Sequence, residues 1–443
     1  MKKINKLLFV FALATSTMFG GCDSFVEGYE DDPTRPLSVG MDVTLSSAQS
    51  YTIYVQSDDI ARFTAIVMQQ VTGADRQFLA AQRYNIQRGD FDTPWSFNGY
   101  SGAMQDLKNL MIQAEGQSSP HYSGVAKVLM AVNLGVLTDA FGDIPYSEAF
   151  QGVENLKPKF DSQESIYTEI QSLLDGAIAD LKKESVLSPA ADDLIYGGDL
   201  AKWEMFAYGL KARYLNHLSK LSQYDANAVL SALSKSFATN EDDAQFVFMS
   251  STLQSNPWNQ FLVQREGYIA LEGYMYDMMA EKADPRAPLY GEGGFYFQAT
   301  SPIPMMTYVE AKFIEAEALL SQGKTVEAET AFQAAVRANM EKVGVDTADI
   351  ETYMTAHGSF TAGTELEQLM EEKYVAMFTH PESWVDWRRS GVPSIVAPAN
   401  SELSGGQIPR RFPYAESEYL YNSQNVPELD KEAGLTQRMW WDK

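Results

Sequence analysis

The chain has 443 residues and sets 34 Lys and Arg against 59 Asp and Glu, a formal net charge of −25. A surface this acidic repels phosphate backbones and anionic headgroups, which argues against nucleic acid as a ligand. Its 45% hydrophobic content is enough to bury a large core, and with no Pro/Ser/Gly linker in sight, residues 41–443 are expected to form one large domain.

Lys2, Lys3 and Lys6 precede an apolar run from Leu7 to Leu13, and Gly20-Gly21 stand before Cys22. This is the layout of a secretory signal over residues 1–21. The run thins into Thr15, Ser16 and Thr17, well short of the about 20 apolar residues a membrane span needs. Cys22 is the single cysteine, so it cannot form an internal disulfide. Gly20-Gly21-Cys22 resembles a bacterial lipobox, with Phe19 where Leu is usual. The resemblance implies cleavage before Cys22 and acylation, palmitate included, of its thiol and new amino group. Several acyl chains anchor stably where one is marginal. The other reading is an ordinary signal with a chance cysteine. Residues 22–40 then read as a tether, whose acids from Asp23 to Asp32 resemble the export signal of surface lipoproteins in the Bacteroidetes.

Ile60 to Val71 places Phe63, Val67 and Val71 at four-residue spacing, a helix with one buried face. Asp90 to Tyr100 mixes turn formers with rings and predicts a loop feeding a helix from Ser101 to Glu115. Val125 to Phe141 is nearly all apolar, which predicts a central buried helix, and Gly142 and Pro145 stop it. Asp161 with Glu164 suggests a capping box ahead of a stripe from Ile166 to Leu181. Further helices follow Asp199, carrying Trp203 to Leu221, and run through Val229, Leu233 and Phe237.

From Ser250 to Pro304 the helical period fades into Gly, Pro, Tyr and Phe, predicting long ordered loops with a little β-structure. Helical period returns from Thr307 to Leu320 and, after a turn at Gly323, from Thr325 to Glu341. Here Ala328, Phe332 and Ala335 match the A-x3-F-x2-A half of a tetratricopeptide unit, although a plain helix pair uses small residues similarly. Thr364 with Glu367 caps a helix from Leu366 to Met377, and the tail from Pro393 to Lys443 is expected to be mostly irregular.

Four segments in this order resemble the SusD/RagB family of outer-membrane nutrient-binding lipoproteins. The buried helix ends in Gly142-Asp143-Ile144-Pro145, like the family's G-D-I/V-P turn. Met305 to Leu320 is similar to its T-Y-x-E helix, and Glu371 to Gly391 to its W-x-D-x-R-R segment. Gln407 to Asn422 is similar to its C-terminal segment, with Phe412-Pro413-Tyr414 replacing Tyr-Pro. The resemblance implies a mostly α fold: a tetratricopeptide-like helix-pair scaffold, mainly residues 41–250 and 305–390, with a loop-rich ligand-binding insertion at about 250–304 and little β. It also implies a SusC-type TonB-dependent transporter as partner, a lipid anchor facing the cell exterior, and a glycan or an oligopeptide as ligand. A structural lid with no ligand of its own is the remaining alternative.

Candidate ligand contacts are Trp95, Asn98 and Tyr100, where the family commonly places sugar-stacking rings and an amide, then Trp258, Tyr290 and Phe295. Sugar faces present C–H groups to aromatic planes, and amides serve hydroxyls; each ring could equally wedge its loop against the core. Trp384, Asp386, Trp387, Arg388 and Arg389 read as a buried cluster, and Arg410 and Arg411 as a pair meeting an anionic ligand or neutralising Glu416 and Glu418. The four histidines, His121, His217, His357 and His380, have no metal-ligand spacing, and there is no G-x-S-x-G elbow or phosphate loop. No enzyme activity and no cofactor is expected. Ca2+ at Asp90 and Asp92, or at Glu241, Asp242 and Asp243, is chemically allowed, but neither group has a defined loop spacing.

Overall fold

In the computed structural model, residues 39–429 and 431–443 are described. The signal segment, Cys22 and the acidic tether lie outside the described residues. Helix Pro120–Phe141 is the element the others pack around, with every residue from Val128 to Phe141 buried. It is long and apolar enough to cross a membrane, but 94% of its apolar window is buried inside the protein, so its composition is that of a core helix. Helices Met41–Ser57, Gln105–Gly116, Gln163–Asp180 and Leu200–Asn216 pack on it. The last comes very close at Gly135, where a Cβ would lie 1.9 Å from the Tyr214 hydroxyl oxygen. Asp199 caps Leu200–Asn216 by accepting from the N–H groups of Ala201 and Lys202.

The second layer is a helix pair, Tyr308–Ser321 and Thr325–Val343, turned at Gly323 and closed by helix Glu365–Ala376. Ala328, Phe332 and Ala335 share a small core of their own with Phe313, Leu369 and Met370. Helix Glu382–Ser390 ties this layer to the first. Strands among the described residues form antiparallel pairs only: Thr72–Gly73 with Ile269–Ala270, Ile144–Pro145 with Phe160–Asp161, and Ala244–Phe246 with Ile303–Met306. The fold is therefore mostly α with a tetratricopeptide-like helix pair and little β.

Several local expectations change. The expected loop before Ser101 is wound as a π-helix, Thr93–Met104, packed so tightly on helix Met41–Ser57 that a Cβ on Gly102 would meet the Tyr51 ring at 2.7 Å. Ser162, not Asp161, caps helix Gln163–Asp180, because the Asp161 carboxylate is taken by the Tyr146 and Ser147 N–H groups and the Ser147 hydroxyl. The Thr364 hydroxyl donates back to the Thr361 carbonyl rather than capping. The stretch expected to be loops holds helices Pro257–Gln264 and Tyr274–Glu281, and the expected irregular tail holds helix Glu416–Tyr421 and buries Trp441 completely.

Candidate ligand-binding cleft

The loop between strands Ile144–Pro145 and Phe160–Asp161 is pinned at its base by Asp161, which accepts from the N–H groups of Tyr146 and Ser147, both at 2.8 Å, and from the Ser147 hydroxyl at 2.6 Å. Across from it stand the π-helix Thr93–Met104 and helix Glu416–Tyr421. The three enclose an open cleft of about 280 Å³ lined by Trp95, Tyr100, Gln105, Phe150, Gln151 and Glu418 among others. Tyr100 and Phe150, both half-buried, stack with centroids 6.0 Å apart and planes at 24°. Phe150 sits at φ 63°, a left-handed backbone that costs a bulky residue about 1–3 kcal/mol and recurs at binding sites.

Trp95 forms the floor. Its ring packs against Phe141, Phe160 and Tyr414, and its indole Nε1 donates to Glu418 Oε1 at 3.0 Å. Glu418 Oε2 accepts from the Asn422 amide at 3.0 Å, and Asp92 accepts from the Ser417 N–H at 2.8 Å, which fastens helix Glu416–Tyr421 in place. Val153, Leu156, Leu420 and Tyr421 beside the cleft are exposed by 90, 72, 66 and 72%. Ring faces flanked by the Gln105 and Gln151 amides and one carboxylate suit a polyhydroxylated ligand, with C–H groups on the rings and hydroxyls on the amides.

A model of the SusD-like family, described as starch-binding and associating with the outer membrane, matches residues 33–295 and 293–415. The chain belongs to the SusD-like family. A SusD/RagB family protein from Bacteroides thetaiotaomicron is 25% identical with a TM-score of 0.78, covering 91% of this chain and 99% of its own. A chitin-binding protein, at 20% identity and TM-score 0.77, covers 91% of this chain and 100% of its own. A SusD homolog from Bacteroides fragilis, at 20% identity and TM-score 0.75, covers 92% and 100%; the last two likenesses show the fold alone. No curated protein matches the chain.

On this SusD-like scaffold the candidate rings divide. Trp95 and Tyr100 line the cleft. Asn98 does not; it is buried and donates to Asp58 Oδ2 at 3.2 Å. Trp258, expected as a loop ring, is a core ring at 2% exposure against Phe297, because Asn256 caps helix Pro257–Gln264 and turns it inward. Tyr290 is fully buried, stacked on Phe378, with its hydroxyl donating to the Val375 carbonyl at 3.2 Å. Phe295 packs on Tyr296 beside it. The sequence reading passed over Phe150 and Gln151 and named Glu418 only as a charge that Arg410 or Arg411 could neutralise. The one available signal was the long turn-rich stretch between Pro145 and Pro158 following the buried helix.

The charged motifs are scaffold. Trp384, Asp386, Trp387, Arg388 and Arg389 are all buried, with Arg389 bonded to Asp386 and, at 2.9 Å, to Glu317. Arg410 pairs with Asp442 at 2.6 Å and Arg411 donates to the Phe141 carbonyl, so neither meets Glu416 or Glu418. Asp92 and Asp243 are likewise engaged, the latter with Lys342 at 2.6 Å. Asp90 caps the Gln87 N–H, and Asp242 the N–H groups of Ala238 and Thr239. Among the described residues Asp139, His217 and Glu382 are close enough to hold a metal ion. Both imidazole nitrogens are taken, however: Nε2 by Glu382 at 2.9 Å, and Nδ1 by the Tyr167 hydroxyl at 2.9 Å and Asp139 at 3.5 Å. Burial opposes the charge on this ring, but Glu382 and Asp139 outweigh it and raise its pKa to about 9. An imidazolium between two carboxylates is an ion-pair lock rather than a metal site.

Proposed function

We propose that this protein is a lipid-anchored, surface-exposed nutrient-binding protein that captures a glycan at the Tyr100–Phe150 cleft and passes it to a SusC-type TonB-dependent transporter. The family's nutrient-binding, outer-membrane character supports the general role. The observation that carries the site is the stacked Tyr100–Phe150 pair, with Phe150 held in a left-handed backbone at an open cleft. The chitin-binding neighbour supports a saccharide, and the exposed Val153, Leu156 and Leu420 suit a rim covered when a lid closes over a transporter. Capture without chemistry matches a cleft whose lining holds a single carboxylate, since glycoside hydrolysis uses a pair. Affinity electrophoresis of the purified protein in gels containing polysaccharides is the test. Retardation by at least one glycan, with no new reducing ends, is expected; capture of oligopeptides with no glycan retained would replace the ligand class.

A further inference from the structure

Charge at the cleft is one-sided. Among the side chains lining it, Glu418 bears the single formal charge, and its oxygens meet only neutral donors, the Trp95 indole and the Asn422 amide, both at 3.0 Å. Behind Tyr100 the Asp161 carboxylate is also served by neutral groups, two backbone N–H and the Ser147 hydroxyl. The Tyr100 phenol registers this field: burial first, then Glu418 and Asp161, push its pKa well up. No cation lines the cleft; Lys157, flanked by the lining residues Asn155 and Pro158, is exposed at its rim. Lys159 pairs with Glu148 at 3.0 Å. Arg88 lies over the Tyr419 ring at 3.6 Å, in a separate cleft on the other side of helix Glu416–Tyr421. The whole chain adds a net charge of −25.

We infer that the cleft admits neutral or amine-bearing saccharides and rejects those carrying carboxylate or sulfate groups, with Glu418 as the specificity-determining residue. This rests on the reading of the cleft as the ligand site. A ligand anion seated on the Tyr100–Phe150 face would approach Glu418 with no counter-charge among the lining side chains, whereas a neutral sugar loses nothing there and an ammonium gains.

Purified protein is applied to an array of neutral, amine-bearing, uronate-bearing and sulfated oligosaccharides at low ionic strength. The binders are expected to be neutral or amine-bearing, with acidic analogues of the same backbone weaker by about tenfold or more. Gln151 is exposed, so Gln151→Lys is expected to narrow that ratio by about tenfold, neutral binding falling by no more than the loss of one amide contact, with melting temperature unchanged. Glu418→Gln is expected to narrow it as well. Acidic glycans binding as well as neutral ones to the unaltered protein, or a ratio unmoved by Gln151→Lys, would overturn the selectivity and leave the cleft as ligand site standing. Retention of no glycan at all would overturn both.

Discussion

In the helix-pair layer Arg286 is fully buried and reaches Asp284 and Glu372 at 2.6 Å each, while at the cleft Glu418 is half-buried and meets no cation. Rings divide the same way. Tyr290, Trp258 and Trp384 are enclosed on all sides, whereas Tyr100 and Phe150 stack on each other at the edge of an open cleft. The scaffold pairs its charges and hides its rings, which fixes a single arrangement of helices. The cleft leaves a strained ring and an uncompensated carboxylate facing solvent, which contributes little to folding and suits recognition.

Variants can break that contrast. Arg286→Met leaves Asp284 and Glu372 buried with no guanidinium between them and is expected to destabilise by about 3–5 kcal/mol, read by denaturant unfolding. Trp258→Ala is expected to cost about as much, about 3–5 kcal/mol, with glycan affinity of the folded fraction unchanged. A loss of affinity without loss of stability would move Trp258 into the site. Gly135→Ala puts a methyl into the Tyr214 hydroxyl and is expected to cost about 1–3 kcal/mol by overpacking.

The His217 lock has a pH signature. Its folded pKa, about 9, lies above the ordinary 6.5, so its stabilisation is complete below the ordinary value and is lost as pH rises through about 9. The difference in melting temperature between the unaltered protein and His217→Gln is therefore expected to shrink as pH is raised across this range. A difference that grows would contradict the lock.

Much of the scaffold was legible because its signals are local. The nearly all-apolar run to Phe141 and the spacing of Ala328, Phe332 and Ala335 each mark a helix and its buried face, and Asp199 marks a helix start. The cleft was half legible. Trp95 and Tyr100 stand in one turn-rich stretch, but their partners Phe150 and Glu418 come from distant segments, and nothing in Ala149-Phe150-Gln151-Gly152 announces a left-handed phenylalanine. Asn98, Trp258 and Tyr290 misled for the complementary reason. Polar and turn-forming neighbours mark a segment as surface, yet a cap at Asn256 or a stacking partner such as Phe378 decides whether the ring points inward. The tail looked irregular because Asp442 and Trp441 are held by long-range partners, Arg410 and Asp139, rather than by periodicity.

The most direct test of the cleft is calorimetric titration of the unaltered protein and Phe150→Gly with a glycan that retards the protein in affinity gels. Glycine accepts the φ of 63° without strain, which offsets part of the packing lost with the ring, so melting temperature is expected to change little. Affinity is expected to fall by about 0.5–1.5 kcal/mol, up to about tenfold, the worth of one ring face. Unchanged affinity in a folded Phe150→Gly protein would contradict the assignment of this cleft as the ligand site.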